Sequence, residues 1–171
     1  WPIVLAGLSD GRDLDSKTAE TVLMSVLNGE ATDAQLAAFL VALRQKGETV
    51  DELSGLVHAM RSACIPISCP PETIDLVGAG GSPMGQKAAL NVSTIASFVA
   101  AGAGAKVCKH GNRKASSTSG SFDLLEELSI AAELAPEQVA RCVEELGVGF
   151  AYARSFHPAM RYASQVRVEL G

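Results

Sequence analysis

The chain has 171 residues, 47% of them apolar, and a net charge of −5. That is enough for one ordinary domain or two small ones with a real core, and the composition excludes disorder. No basic tail or stripe exists to hold a phosphate backbone, and no run of about 18 apolar residues exists to span a bilayer, so neither nucleic acid nor a membrane is an expected partner.

The N-terminus, Trp1-Pro2-Ile3-Val4-Leu5, lacks a Met and a basic n-region, so no signal peptide is expected. The missing Met points to processing or to a start inside a longer gene. Residues 15–28 predict a helix, with Ala19, Val22, Leu23, Val26 and Leu27 on one stripe. Asp15 or Ser16 caps it and Asn28-Gly29 ends it. Thr32-Asp33-Ala34-Gln35 is a capping box that opens a second helix, running to Gly47. Thr49-Val50-Asp51-Glu52 opens a third, and the three amphipathic helices form a small helical unit. His58, near an apolar stripe, reads as a packed or surface histidine rather than a catalytic one.

Ile65 to Pro71 holds three prolines and cannot continue a helix. The expected organisation is a helical domain over 1–66, a linker at 67–72 and an α/β domain over 73–156. Residues 157–171 are expected to pack back onto the helical domain. In the α/β part the pattern predicts a strand at 73–77, a helix near 93–102 and a strand at 105–108. Helices near 119–128 and at 136–146 and a strand at 147–151 follow. Alternating strands and helices imply a parallel sheet with right-handed crossovers, and ligands bind beyond the carboxyl ends of such strands. Cys64 and Cys69 flank Ile65–Ser68, a possible disulfide. Cys108 and Cys142 sit in apolar patterns as small core residues, and the four together suit a reducing, cytoplasmic setting.

Three segments at the predicted ligand end carry chemistry. Gly78-Ala79-Gly80-Gly81-Ser82 follows the first strand, and a glycine turn there either aims backbone N–H groups at an anion or is simply a tight turn. It is neither a Walker A loop nor GxGxxG. Asn91-Val92-Ser93-Thr94 opens the next helix, where free N–H groups and hydroxyls suit phosphate or a metal ion; plain N-capping explains the same residues. Lys109-His110-Gly111-Asn112-Arg113 is a cationic cluster directly after a buried strand, followed by Ser116, Ser117, Ser119 and Ser121. Cations held together like this favour an anionic ligand. The converging segments point to a phosphorylated ligand.

GAGGS, NVST and KHGNRKASSTSGS, in this order and spacing, resemble the anthranilate phosphoribosyltransferases of tryptophan biosynthesis, where the pattern reads approximately GTGGD, N-[VIL]-S-T and KHGNR-x-x-SS-x-x-GS. Leu27–Glu30, Leu43–Thr49, Phe156–Met160 and Val166-Arg167 extend the likeness over nearly the whole chain. The resemblance implies a helical domain hinged to a larger α/β domain, and a homodimer formed through the helical domain. It implies transfer of the phosphoribosyl group of phosphoribosyl pyrophosphate (PRPP) to anthranilate, with Mg²⁺, releasing pyrophosphate. By resemblance Gly78, Gly81 and Ser82 face the pyrophosphate. Asn91, Val92, Ser93 and Thr94 hold PRPP, with Ser93 on the metal. Lys109, His110, Gly111, Asn112, Arg113, Ser116, Ser117 and Ser121 line the PRPP cradle. Gly78, Asn112, His157 and Arg167 are implied for anthranilate, Arg167 through the carboxylate.

Some positions depart from that pattern. Ala79 stands where the family has Thr, Ser82 where it has Asp, and Ala89 where a hydroxyl is expected. Family members are longer, and by resemblance an Asp-Glu pair in their second half binds Mg²⁺. The chain is therefore read as the N-terminal half of a longer enzyme or as a truncated homologue. A non-catalytic homologue of the same fold, or a pyrimidine nucleoside phosphorylase, is the alternative reading.

Overall fold

A computed structural model describes residues 1–78, 90–113 and 119–170. In chain order the elements are α1 (Pro2–Ser9), α2 (Ser16–Leu27), α3 (Asp33–Lys46), α4 (Val50–Ala63), α5 (Val92–Gly102), β1 (Val107–Gly111), α6 (Ser121–Glu127), α7 (Pro136–Leu146), β2 (Val148–Tyr152), α8 (Ala153–Phe156), a 3₁₀ helix (Pro158–Ala163) and α9 (Ser164–Leu170). They divide into two compact units, Trp1–Cys64 with His157–Gly171, and Ile65–Phe156.

The first unit is all helical. Its caps follow the sequence: Asp15, not Ser16, accepts the Thr18 N–H at 2.6 Å, and both Thr32 and Thr49 complete capping boxes. Leu8, Val22, Phe39 and Leu43 form one core cluster; Val26, Leu36, Ala163 and Val166 form another. The chain from Pro158 onwards thus packs among the first helices of its unit. Helix α1 was not expected. Its segment, PIVLAGLS, is apolar on nearly every side and shows no stripe, while Pro2 at the first helical position fixes φ for the turn.

Helices α2 and α4 lie close together because Gly55 faces the start of α2. A Cβ at Gly55 would collide with the backbone carbonyl oxygen of Ser16. Backbone cannot yield as a side-chain tip can. Gly55→Ala is expected to destabilise this unit by about 2–3 kcal/mol, read as a lower midpoint in urea unfolding.

Glu52, 0% exposed, is the polar centre of the same unit. Its carboxylate accepts from the Leu14 N–H at 2.9 Å, the Thr49 N–H at 2.8 Å, the Thr49 hydroxyl at 3.0 Å and Lys46 Nζ at 3.0 Å. Lys46 reaches Asp13 as well, at 2.7 Å.

The second unit is α/β, with β1 and β2 paired in parallel, Val107 against Val148 through Gly111 against Tyr152. Phe122, Leu125, Ala132, Phe150 and Tyr152 pack on one side; Val139, Ala151 and Phe156 pack with Ile67 and Cys108 in a second cluster. The expected parallel arrangement is found, and α7 begins at Pro136 as predicted.

Two expectations need correction. The predicted strand at 73–77 is a single parallel bridge, Ile74 to Val107. The ladder stops because side chains take over the next pairings. The Ile74 carbonyl still accepts the Cys108 N–H at 2.9 Å. One step on, the His110 N–H goes to Asp75 Oδ1 at 3.2 Å, and the Leu76 carbonyl is taken by Lys109 Nζ at 2.8 Å. The predicted strand at 105–108 instead runs from Val107 to Gly111, so Lys109, His110 and Gly111 are strand residues rather than turn residues. Strand alternation turns Val107 and Lys109 inward and His110 outward.

Candidate functional site

Described residues of the three predicted segments lie near the carboxyl end of β1. A Cβ built at Gly78 would lie 3.8 Å from Ser93 Oγ, so the first residue of the first segment stands beside the first turn of α5. Asn91 occupies the N-cap position of α5 but does not cap it. Its side-chain amide donates to Ser119 Oγ at 3.0 Å, tying the start of α5 to the approach to α6. Ser121 Oγ donates to the Asn112 carbonyl at 3.3 Å and the Phe122 N–H reaches the same oxygen, tying α6 to the end of β1. Gly111 suits this close approach, because a Cβ there would crowd the Ser121 side chain.

Lys109 is only 3% exposed. Its ammonium donates to the Leu76 carbonyl at 2.8 Å and to the His110 carbonyl at 3.1 Å. Burial lowers its pKa, and the nearby Asp75 charge works in the opposite direction. This lysine therefore braces the backbone that leads to Gly78 from below, as a cation with two neutral acceptors. Val92 is exposed on the first turn of α5, and Ser93 is half-buried. Thr94 is fully buried, and its hydroxyl has no hydrogen-bond partner among the described residues. Asn112 is exposed and its side-chain oxygen accepts the Arg113 N–H at 2.9 Å.

Two of the expected cations already have partners. Arg113 pairs with Glu126 and, at 2.9 Å, with Glu133, and lies over the Tyr152 ring. Those carboxylates, Glu126 foremost, raise its pKa further. His110 pairs through Nδ1 with Asp75.

Asp75 is the residue that motif reasoning passed over. It accepts from both the ring and the backbone N–H of His110. A carboxylate inside a predicted strand, just before a glycine turn, needs a partner, and that need was its signal. Burial pushes Asp75 up, but the His110 hydrogen bond and charge outweigh it and hold the carboxyl low. The same hydrogen bond raises His110. With the folded pKa raised, the pair's contribution is complete below the ordinary histidine value of about 6.5 and is lost as pH rises through the folded value. In an NMR titration His110 is expected to titrate above about 6.5, and Asp75→Asn is expected to move it back down.

Gly81, Ser82, Ser116 and Ser117 lie outside the described residues. His157 and Arg167 belong to the helical unit: His157 precedes the 3₁₀ helix, its carbonyl accepting the Met160 N–H at 3.0 Å, and Arg167 is exposed on α9. Among the described residues no three His, Cys, Asp or Glu side chains converge to hold a metal ion, and no helix is long and apolar enough to cross a membrane.

The model of a glycosyl transferase family's helical bundle domain matches residues 3–64, and that of its a/b domain matches residues 70–171. The chain belongs to this glycosyl transferase family. It is 50% identical over 171 residues to an anthranilate phosphoribosyltransferase of Nocardioides sp. (strain ATCC BAA-499 / JS614), covering 100% of this chain and 49% of the relative. A solved anthranilate phosphoribosyltransferase from Thermus thermophilus superposes with a TM-score of 0.89 at 43% identity, over 98% of this chain and 50% of that one. A Saccharomyces cerevisiae anthranilate phosphoribosyltransferase, solved in complex with PRPP and Mg, superposes with a TM-score of 0.78 at 28% identity, over 92% and 47% of the two chains. The chain spans about half the length of the curated relatives it matches. Gly78, Asn91, Ser93 and Lys109 all fall within the a/b domain match.

Proposed function

We propose that this chain carries the PRPP-binding part of an enzyme that transfers the phosphoribosyl group of PRPP to anthranilate, giving N-(5-phosphoribosyl)anthranilate and pyrophosphate. The observation that carries the reading is the approach of Gly78 to Ser93 together with the hydrogen bonds from Asn91 to Ser119 and from Ser121 to Asn112. It joins three motifs that are far apart in sequence at one end of the parallel pair. The relatives' names supply the reaction, and the yeast relative's complex supplies PRPP and the metal.

The chemistry needs little beyond positioning. An aromatic amine is neutral at pH 7 and carries its own nucleophilic lone pair, so no strong general base is required. Rate comes from holding the amine in line with C1 of the ribose and from stabilising the charge that grows on the departing pyrophosphate. Gly78 lets the backbone approach the pyrophosphate without a Cβ between them. The first turn of α5, whose N-cap side chain is turned away to Ser119, offers its positive dipole end and the Ser93 hydroxyl to anionic oxygen. Lys109 holds the Leu76 carbonyl and adds positive potential behind it. His110, Gly111, Asn112, Arg113 and Ser121 complete the cradle, while Asn112, His157 and Arg167 are assigned to anthranilate.

A Mg²⁺ ion fits this donor set only as one that arrives with its substrate. It prefers oxygen, keeps several waters and takes phosphate oxygens readily. Ser93 is the hydroxyl assigned to it, and when bound the ion neutralises charge on the leaving pyrophosphate. We further assign residues 67–72 as the linker, a reducing cytoplasmic setting, and a homodimer formed through the helical unit. Val50, Leu53 and Val57 leave an apolar stripe exposed on α4, which supports the last of these.

Isothermal titration with PRPP and Mg²⁺ tests the binding step, and fluorescence of phosphoribosyl-anthranilate tests the transfer. Absence of PRPP binding at millimolar ligand would sink the proposal; binding without product would leave a non-catalytic homologue. Sedimentation at micromolar concentration checks the dimer.

A further inference from the structure

The side chain that ends the first strand's ladder also holds a residue of the candidate cradle. Asp75 Oδ1 accepts the His110 backbone N–H at 3.2 Å, and Oδ2 pairs with His110 Nδ1. One carboxylate thus grips the main chain and the ring of the same residue, which fixes the ring on its strand. Asp75 precedes Gly78 closely and His110 precedes Asn112, so the grip ties together two of the segments assigned to PRPP. The His110 side chain is 58% exposed, and its Nε2 makes no hydrogen bond among the described residues.

We propose that Asp75 is a positioning residue for the anionic ligand: holding His110 at Nδ1, it leaves Nε2 as the ring atom that donates to an oxygen of PRPP. This role presupposes that the site binds PRPP. The chemistry follows from the tautomer. Burial pushes Asp75 up, but the His110 hydrogen bond and charge outweigh it, so the carboxylate is ionised near neutral pH. An ionised carboxylate only accepts, so Nδ1 carries its proton. A neutral ring then has a bare lone pair at Nε2, which repels an anion. Only the imidazolium has an N–H there. Asp75 favours that form: its hydrogen bond leads, and with its charge it outweighs burial and the Lys109 charge. Asp75 and Lys109 are the charged groups acting on the ring; the β2 partner of His110 is Ala151, and α5 carries no charged side chain. With the folded pKa raised, the donor is fully present below about 6.5 and is lost as pH rises through the folded value.

The test is titration calorimetry with PRPP and Mg²⁺ near pH 5.5 and near pH 7.5, on the wild type, Asp75→Asn, His110→Gln and the double variant. Asp75→Asn is expected to bind about tenfold more weakly near pH 7.5, yet within about threefold of wild type near pH 5.5, where the ring is protonated in both. Titration of the ligand's own phosphates is common to all four proteins and cancels in the ratios. In the His110→Gln background, Asp75→Asn should change affinity less than about twofold, because the carboxylate has no ring left to hold. Circular dichroism confirms that the variants fold. An Asp75 that is merely structural would weaken binding equally at both pH values, and again in the His110→Gln background; either result overturns the proposal. Unchanged affinity near pH 7.5 in Asp75→Asn, or in His110→Gln should Asp75→Asn fail to fold, overturns it while leaving PRPP binding intact. Absence of PRPP binding by the wild type at both pH values overturns it together with the proposed function.

Discussion

Lys109→Ala is expected to lower PRPP affinity by roughly 10–100-fold, the worth of one charge-assisted hydrogen-bonding group. The expectation rests on placement. The ammonium is buried among protein atoms and holds the Leu76 carbonyl, two residues from Gly78. Removing it leaves that carbonyl unmet and opens space beneath the glycine turn, so stability should fall too, by about 2 kcal/mol. Two variants separate these effects. Lys109→Met keeps most of the volume and loses the donor and the charge, so its affinity should fall while its unfolding midpoint falls less than that of the alanine variant. Titration calorimetry with PRPP and Mg²⁺, alongside urea unfolding, reads both quantities. His58→Ala, on an exposed part of α4, serves as the control and should leave affinity unchanged. Equal losses in Lys109→Ala and His58→Ala would remove Lys109 from the site.

Glu52→Ala is expected to cost the helical unit about 3–5 kcal/mol, the range for removing one partner of a buried charge pair. Four donors lose their acceptor at once: the Leu14 and Thr49 N–H groups, the Thr49 hydroxyl and Lys46. The capping box of α4 is broken by the same change. Glu52→Gln keeps the volume and one acceptor oxygen but turns an amide N–H₂ towards donors, so it should recover only part of the loss. Acid should reproduce the effect in the unaltered chain. Burial alone would raise the Glu52 carboxyl, but its hydrogen bonds win and hold it at about 2, below its ordinary 4.5. A depressed carboxylate contributes stability above its unfolded value that is lost as pH falls through the folded one. Stability of the wild type should therefore decline between about pH 4.5 and about pH 2, and Glu52→Gln should show a flatter profile there. An unchanged acid profile in Glu52→Gln would refute Glu52 as the titrating group.

Much of the helical unit was legible in the sequence because its signals are local. Thr32 and Thr49 stand three residues ahead of Gln35 and Glu52, and each box closes within one helical turn. The apolar stripe of the first predicted helix names Val22, Val26 and Leu27 as core residues, and all three are buried. Helix α1 escaped notice since an all-round apolar segment has no period to read. The candidate site was legible as motif and not as geometry. KHGNR announced cations for an anion, yet its three basic residues are all engaged within the unit: Lys109 with backbone carbonyls, His110 with Asp75, and Arg113 with Glu126 and Glu133.

From the sequence by itself came the capped helices, the parallel α/β pattern, the three anion-suited segments and the family resemblance, because each depends on residues close together in the chain. Only the tertiary structure decided who partners whom. It ended the first strand after one bridge by giving the His110 N–H to Asp75 and the Leu76 carbonyl to Lys109. It also moved the Asn91 amide from its own helix to Ser119. These pairings span 28 to 35 residues, and a donor and acceptor that far apart meet only when packing brings them together. The Gly78 turn with which the ligand reading began is thus braced by a lysine whose motif lies on another strand.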